Sequence, residues 1–424
     1  MVNLFFLKRQ KEKELFLVLD IGTEAVKVLI FEKRQGKISV LGGGLEYFDR
    51  FRALESGKFE TEVIKKTISK AVEEAQKESG VKTNSIFLGF SCDILKGRTI
   101  SYSLKRKENK FLFLKNQVSV PKFFKFRNRE SEIKNKRVDE KEEGEIKETV
   151  LREAKKKIAE SYALQKGILP QDIQFQELRI LETKIDGYRV PSLLGYDGEK
   201  ADFKILATFL PKYYLESNFS DFISPPIIPI IREMGFKILE IRHPIVGLLS
   251  FLSQYPDALL LDIGGEVTQI FLAKRGILEE ISEFETGGRQ FSQILSENLG
   301  LSELEARNLK HRYSKRDLTE ESRREIGKLL KISTHLWFQG LKEKLREIGS
   351  GIFPSEFFIF GGGALLPEIE EILEQGDWED ISFAEPPKVK FLQSKDLINI
   401  EEKIGLTAQN TPSLLNYHSI KGSF

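Results

Sequence analysis

The sequence is poor in residues that cross-link or bind metals, with 1 Cys and 4 His in 424 residues. Cys92 has no second cysteine to oxidise with, which excludes a disulfide scaffold and points to a reducing, cytoplasmic setting. His243, His311, His335 and His418 stand at no metal-ligand spacing and read as surface or packing residues. An excess of charge of one sign is also missing. Lys and Arg number 66 against 64 Asp and Glu, so no global pull towards nucleic acid or anionic lipid is expected and any such contact has to be local. No apolar run approaches the length of about 18 residues that reads as a membrane-spanning helix. The amino terminus, MVNLFFLKRQKEKE, places its apolar residues before its basic ones and is too short for a secretory leader, so secretion is not expected. What remains, 40% hydrophobic and 31% charged residues, is the composition of a soluble globular chain long enough for more than one domain.

One phrase occurs twice. LFLVLDIGTEAVKVLIFEKRQGKI begins at Leu15, and LLLDIGGEVTQIFLAKRGIL begins at Leu259. In the first copy Leu15 to Leu19 reads as a buried strand, Asp20-Ile21-Gly22-Thr23 as a turn, and Ala25 to Phe31 as a returning strand; Gly36 then separates a third strand, Ile38 to Leu41. The second copy follows the same order: Ala258 to Leu261, Asp262-Ile263-Gly264-Gly265, Val267 to Ala273, then Gly276. This is an internal duplication. After the first copy, Val63, Ile64, Ile68, Ala71, Val72 and Ala75 form an apolar stripe at helical spacing that stops at Gly80. After the second, helices are expected at 288–299, 302–311 and 320–348, with Trp337 and Phe338 as core residues. EFFIFGGGALLPEIEEIL then reads as a strand that ends in three glycines before a helix from Pro367.

Between the copies the texture changes. In 105–148 a basic stretch with interleaved Phe111, Phe113, Phe123, Phe124 and Phe126 gives way to Glu140, Glu142, Glu143 and Glu145, which reads as a partly disordered, solvated insertion. Aromatic and basic residues in alternation also suit single strands or lipid headgroups, but no nucleic-acid partner is assigned. A helix with Val150, Leu151, Ala154, Ile158 and Tyr162 on one face, a hairpin turning at Asp186-Gly187 and a strand from Ala201 to Phe209 make a small α+β domain. Past Pro225 and Pro226 the pattern resumes with a helix, the strand Phe236 to Ile241 and a helix from Pro244 to Leu252.

A strand that ends in Asp-x-Gly and doubles back leaves backbone N–H groups pointing into its turn, where glycine lets a phosphate approach. Two such turns facing each other hold a phosphate chain from both sides. Asp20 and Asp262 would then lie beside the phosphates, with a hydrated Mg²⁺ attracted to both, and Thr23 would add a hydroxyl. Gly361, Gly362 and Gly363 would let a flat base or ribose lie against backbone.

These three segments, LDIGTEAVK, LDIGGEVTQ and FGGGALLPEIEE, resemble the two phosphate loops and the adenosine motif of the actin-like ATPase superfamily. Within it the sequence is most similar to the FtsA family of bacterial cell division. The similarity lies in ILETKIDGYRVPSLLGYDGEKADFKILATF, in TGGRQFSQIL (286–295) and in ARNLKHRYS (306–314). The resemblance implies an α/β, actin-like (ribonuclease-H-like) duplicated fold: two lobes around a nucleotide cleft, with a small α+β domain inserted in the first lobe. The implied division is a tail 1–14, a first lobe 15–84 and 211–257, an inserted domain 85–210, a second lobe 258–400 and a terminal segment 401–424. ATP and Mg²⁺ are the implied cofactors. Asp20 and Asp262 are the implied catalytic residues and hold Mg²⁺ through water. Gly22, Thr23, Lys27, Gly264, Gly265, Thr268, Gly287, Gly288, Lys310, Gly361, Gly362 and Gly363 are the implied nucleotide contacts. The implied partners are further copies of the chain in filaments, the FtsZ C-terminal peptide, and the cytoplasmic face of the inner membrane at the division site.

Departures temper the resemblance. Glu266 replaces a third glycine of the second loop and Gln269 stands where an acidic residue is common, so hydrolysis is expected to be slow or lost; Arg307 precedes Lys310 where the family often has Glu, so the family's ribose contact is not expected there. LTAQNTPSLLNYHSIKGSF lacks the basic amphipathic helix of the family's membrane anchor, which leaves Val2, Leu4, Phe5, Phe6 and Leu7 with Lys8, Arg9, Lys11 and Lys13 as a peripheral contact within residues 1–13. LDIGTEAVKVLIFE resembles PilM, the actin-like ATP-binding protein of type IV pilus assembly, about as well, and that alternative stays open. A sugar or acetate kinase of the same fold would need a substrate carboxylate site that the sequence does not display.

Overall fold

The computed structural model describes residues 13–34, 37–48, 61–107, 110–113, 137–216, 227–349, 351–393, 396 and 400–402. The amino-terminal apolar tip, the glycine at 36, the aromatic-basic stretch from 114 to 136, the Pro225-Pro226 pair, His418 and the terminal segment from 403 lie outside the described residues.

The chain forms two compact units, residues 1–96 with 211–424, and residues 97–210. In the first unit the opening apolar run is β1 (Glu14–Ile21), buried from Phe16 onward. It turns into antiparallel β2 (Ala25–Arg34), which places Asp20 opposite Lys27. β3 (Lys37–Tyr47) runs antiparallel to β2 and continues six residues past the expected end at Leu41, through Gly42, Gly43 and Gly44. α1 (Thr61–Ser79) presents its stripe, Ile64, Ile68, Ala71, Val72 and Ala75, to the core. β4 (Ser85–Phe90) then pairs parallel with β1.

That pairing moves the start of the inserted unit. Residues 85–96 belong to the first lobe because the apolar β4 fills a sheet position beside β1, and the inserted unit starts at Gly97. It contains β5 (Lys96–Lys107), β6 (Lys110–Phe113), α2 (Glu140–Lys166), β7 (Ile173–Ile185), β8 (Tyr188–Val190) and β9 (Lys200–Pro211), in the sheet order β6-β5-β9-β7-β8. The acidic end of the expected loop is helical: Asp139 caps α2 by accepting from the Glu142 amide at 2.9 Å, and Glu140, Glu142 and Glu143 fill its first turn, where they complement the helix dipole. Val150, Ala154 and Ile158 are buried in this unit's core together with Phe203 and Ile205. The hairpin turns at Asp186 and Gly187, both at positive φ, and the Asp186 carboxylate accepts from the Lys200 amide at 2.8 Å.

Returning to the first unit, α3 (Ile227–Glu233) leads into β10 (Lys237–Ile241), parallel to β4, and α4 (Pro244–Phe251) follows. The second lobe repeats the plan. β11 (Ala258–Ile263), β12 (Thr268–Lys274) and β13 (Ile277–Phe284) are antiparallel neighbours, and α5 (Gly288–Leu299), α6 (Glu303–Ser314) and α7 (Glu320–Ile348) lead to β14 (Glu356–Phe360), parallel to β11. α8 (Pro367–Gln375) and β15 (Lys388–Phe391) complete it, and β16 (Ile400–Glu402) adds to the edge of β3. The two sheets read β3-β2-β1-β4-β10 and β13-β12-β11-β14-β15, each three antiparallel strands followed by two parallel ones. The repeated phrase is therefore the matching part of two copies of one sheet. Trp337 and Phe338 are core residues of the second lobe, and the Trp337 indole N–H donates to the Thr268 hydroxyl at 2.9 Å.

Candidate functional site

The ends of β1, β11 and β14 meet around one cleft. Each Asp-Ile-Gly turn is closed by the same bond: the Gly22 amide donates to the Ala25 carbonyl at 2.9 Å, and the Gly264 amide donates to the Val267 carbonyl at 3.0 Å. The second turn is braced from behind, because the Gly288 and Arg289 amides at the start of α5 donate to the Gly264 and Gly265 carbonyls at 2.8 and 2.7 Å. No side chain fits between these segments. A methyl on Gly287 would lie 2.7 Å from the Gly264 oxygen. Gly361 ends β14 at φ +89, where a side chain is strained, and a methyl there would press on the Ile263 carbonyl. Gly362, at φ −69, is free of that restriction.

Asp20, Gly22, Thr23, Lys27, Asp262, Gly264, Gly265, Gly288, Lys310 and Gly361 to Gly363 all line this cleft. Two expected contacts do not. Thr268 is fully buried, and its hydroxyl donates to the Thr286 carbonyl at 2.6 Å while it accepts from Trp337, so it ties β12 to the core. Gly287 serves as packing beneath the second turn.

Charge is concentrated here. The Lys27 ammonium donates to Asp20 at 3.2 Å and feels Asp262 as well; burial alone would lower its pKa, but the two carboxylates raise it above the usual lysine value. Asp262 is pushed up to about 7, first by burial and then by repulsion from Asp20, with Lys27 opposing. Lys310 donates to the Gly288 carbonyl and is lowered to about 8, by burial first and then by Arg307 and Arg289, against the pull of Glu24. His311 lines the cleft and its ring lies 4.6 Å from that of Tyr47; burial and the neighbouring cations lower it to about 3, so it is a neutral imidazole at physiological pH. His243 is buried and caps α4 by accepting from the Ile245 amide at 3.1 Å, whereas His335 is exposed on α7.

Several lining residues lie outside the expected set of nucleotide contacts. Glu24 and Arg307 enter as a cross-lobe pair at 3.7 Å, and Arg307 also donates to the Phe48 carbonyl at 3.0 Å and lies over the Tyr47 ring. Phe90, Ser91 and Cys92 arrive from the end of β4, which carries no turn motif to announce them. Their only signal is strand order: the residues after a parallel neighbour of β1 reach the same sheet edge.

For Mg²⁺, no cluster of three or more His, Cys, Asp or Glu that could hold a metal occurs among the described residues. Two carboxylates beside a phosphate cradle fit a water-clad Mg²⁺, which dehydrates reluctantly, better than an ion held by protein alone. Asp20 and Asp262 would hold it, and bound there it would neutralise phosphate charge. Lys27 already offsets part of the charge of these two carboxylates.

No family model matches the sequence. Among solved structures, the PilM-PilN type IV pilus biogenesis complex aligns over 96% of this chain and 98% of that chain, at 15% identity and a TM-score of 0.57. Ethanolamine utilization protein EutJ from Carboxydothermus hydrogenoformans covers 96% and 90% at 10% identity and a TM-score of 0.46. Component A of the (R)-2-hydroxyglutaryl-CoA dehydratase of Acidaminococcus fermentans covers 97% and 99% at 9% identity and a TM-score of 0.38. The chain has the two-lobed actin-like fold.

Proposed function

We propose that the protein binds Mg-ATP in this cleft and works as a slow nucleotide-dependent assembly factor of the PilM type, on the cytoplasmic side of a membrane machine. The observation that carries nucleotide binding is the pair of identically closed turns on equivalent strands, with the glycine end of β14 completing the same cleft. Slow turnover is the reading of Gln269, a neutral side chain at the register position facing Asp262, and of Glu266 in the second turn. Gly362 gives a clean test of binding because it lines the cleft and its backbone φ is one that any residue adopts, so Gly362→Phe places a bulky side chain there without backbone strain. ATP binding by calorimetry should be lost in that variant while its thermal transition stays in place; unchanged affinity would remove the assignment.

The PilM reading draws on the likeness across nearly the whole of both chains. The FtsA reading, with filaments, the FtsZ C-terminal peptide and the division site, draws on the Asp186-Gly187 hairpin and the TGGRQF run that opens α5. Peripheral membrane contact through residues 1–13 is compatible with both. Affinity purification from the native cell separates them: pilus inner-membrane proteins in the eluate favour the first, and FtsZ favours the second.

A further inference from the structure

Both phosphate turns of this chain carry a glutamate at their tip, Glu24 after Thr23 and Glu266 after Gly265. Glu24 lines the cleft, and its carboxylate and that of Glu266 repel each other and an approaching anion unless a cation lies between them. Arg289 is that cation. Its Nε–H donates to Glu24 Oε1 at 2.8 Å and its Nη1 pairs with Glu266. Arg307 approaches the other oxygen of Glu24 at 3.7 Å. The side chains of Glu24, Arg289, Arg307 and Glu266 are 16%, 15%, 5% and 28% exposed, so solvent screens this network less than a surface pair, least at Arg307 and most at Glu266. The turn tips also touch, since a methyl on Gly265 would overlap the Thr23 hydroxyl and the Glu24 side chain.

We propose that Glu24 is an internal stand-in for phosphate: the bridge Glu24–Arg289–Glu266 holds the two turns closed against entry of an anionic ligand, and the phosphates of a nucleotide displace Glu24 from Arg289 and Arg307. This inference rests on the nucleotide reading of the cleft. Displacement is favourable because a phosphate chain brings more charge and more acceptor oxygens to the two guanidiniums than one carboxylate does. The bridge nevertheless lowers the apparent affinity, since only the fraction of molecules with the turns parted is competent to bind. Lys310, on the same side of the cleft, is a third cation whose local countercharge includes Glu24. Glu24 thus restrains the cations of the second lobe from a position on the first.

The test compares the full chain with Glu24→Gln, Glu266→Gln and Arg289→Gln by amide hydrogen exchange and by calorimetry with Mg-ATP. Without nucleotide, amides of residues 21–25 and 263–268 should exchange on the order of tenfold faster in all three variants. Glu24→Gln and Glu266→Gln should bind ATP about tenfold more tightly, as the closed population is removed. Arg289→Gln should gain no affinity, because it loses a phosphate cation together with the bridge, and a merely structural role would not divide the variants in this way. Unchanged exchange in all three, or weaker ATP binding by Glu24→Gln, would overturn the proposal. Faster exchange with no ATP binding by any chain, wild type included, would uphold the bridge and instead overturn the nucleotide reading.

Discussion

The first and second turns share a backbone and differ in charge. Both sit between antiparallel strands, both are closed by a glycine amide on the carbonyl three residues on, and both place an aspartate at the last turn of the strand. Across the ladder Asp20 faces Lys27, whereas Asp262 faces Gln269. The duplicated sheet requires the turn geometry twice, but it requires the countercharge once, because Lys27 lies within reach of both carboxylates. The second copy carries a neutral residue at the position where the first carries Lys27. Its Gln269 is fully buried, and its amide nitrogen has no hydrogen-bond partner among the described residues.

Removing the shared cation should break this arrangement most severely. Lys27→Met leaves the buried Asp20 carboxylate without its partner and the half-buried Asp262 without a nearby cation, and should cost about 3–5 kcal/mol of unfolding free energy at pH 8, the usual penalty for removing one member of a buried pair. Urea denaturation measures it, and the loss should shrink at pH 5, where Asp262 is protonated.

A smaller effect should follow from Asp262→Asn, read as a pH profile in metal-free buffer. The Asp262 pKa in the folded chain, about 7, lies above its ordinary value of 3.8, so its contribution to stability is fully present below pH 4 and is lost as the pH rises through 7. The variant should lack that decline between pH 4 and pH 7, and an unchanged profile would show that Asp262 titrates normally. The smallest effect is expected at the neutral position. Gln269→Met removes a polar group whose donor is unpaired and should alter stability by less than about 1 kcal/mol, checked in the same denaturation series.

Much of this was legible in the sequence because short-range pattern encodes it. The apolar runs and turn from Leu15 to Phe31 and their repeat from Ala258 to Ala273, the stripe on α1 and the hairpin at Asp186-Gly187 each depend on residues a few positions apart. What the sequence concealed depends on long-range pairing. β4 has the apolar texture of any buried strand, and only its parallel partner β1 assigns it to the first lobe. Thr268 is a nucleotide contact only by resemblance, and the Trp337 indole, brought in by α7, donates to its hydroxyl instead. Glu266 looked like an obstacle to phosphates, and its partner Arg289 is supplied by the first turn of α5. Glu24 and Arg289 lie 265 residues apart, and no local pattern joins them.

The central claim is that one nucleotide is held by both halves of the duplicated sheet. Photolabelling of the full chain with 8-azido-ATP, followed by peptide mass spectrometry, tests it most directly. The account predicts label on peptides containing residues 306–311 or 361–366, suppressed by excess ATP in the wild type and absent from Gly362→Phe. Label confined to residues 97–210, or label that excess ATP does not suppress, would contradict it.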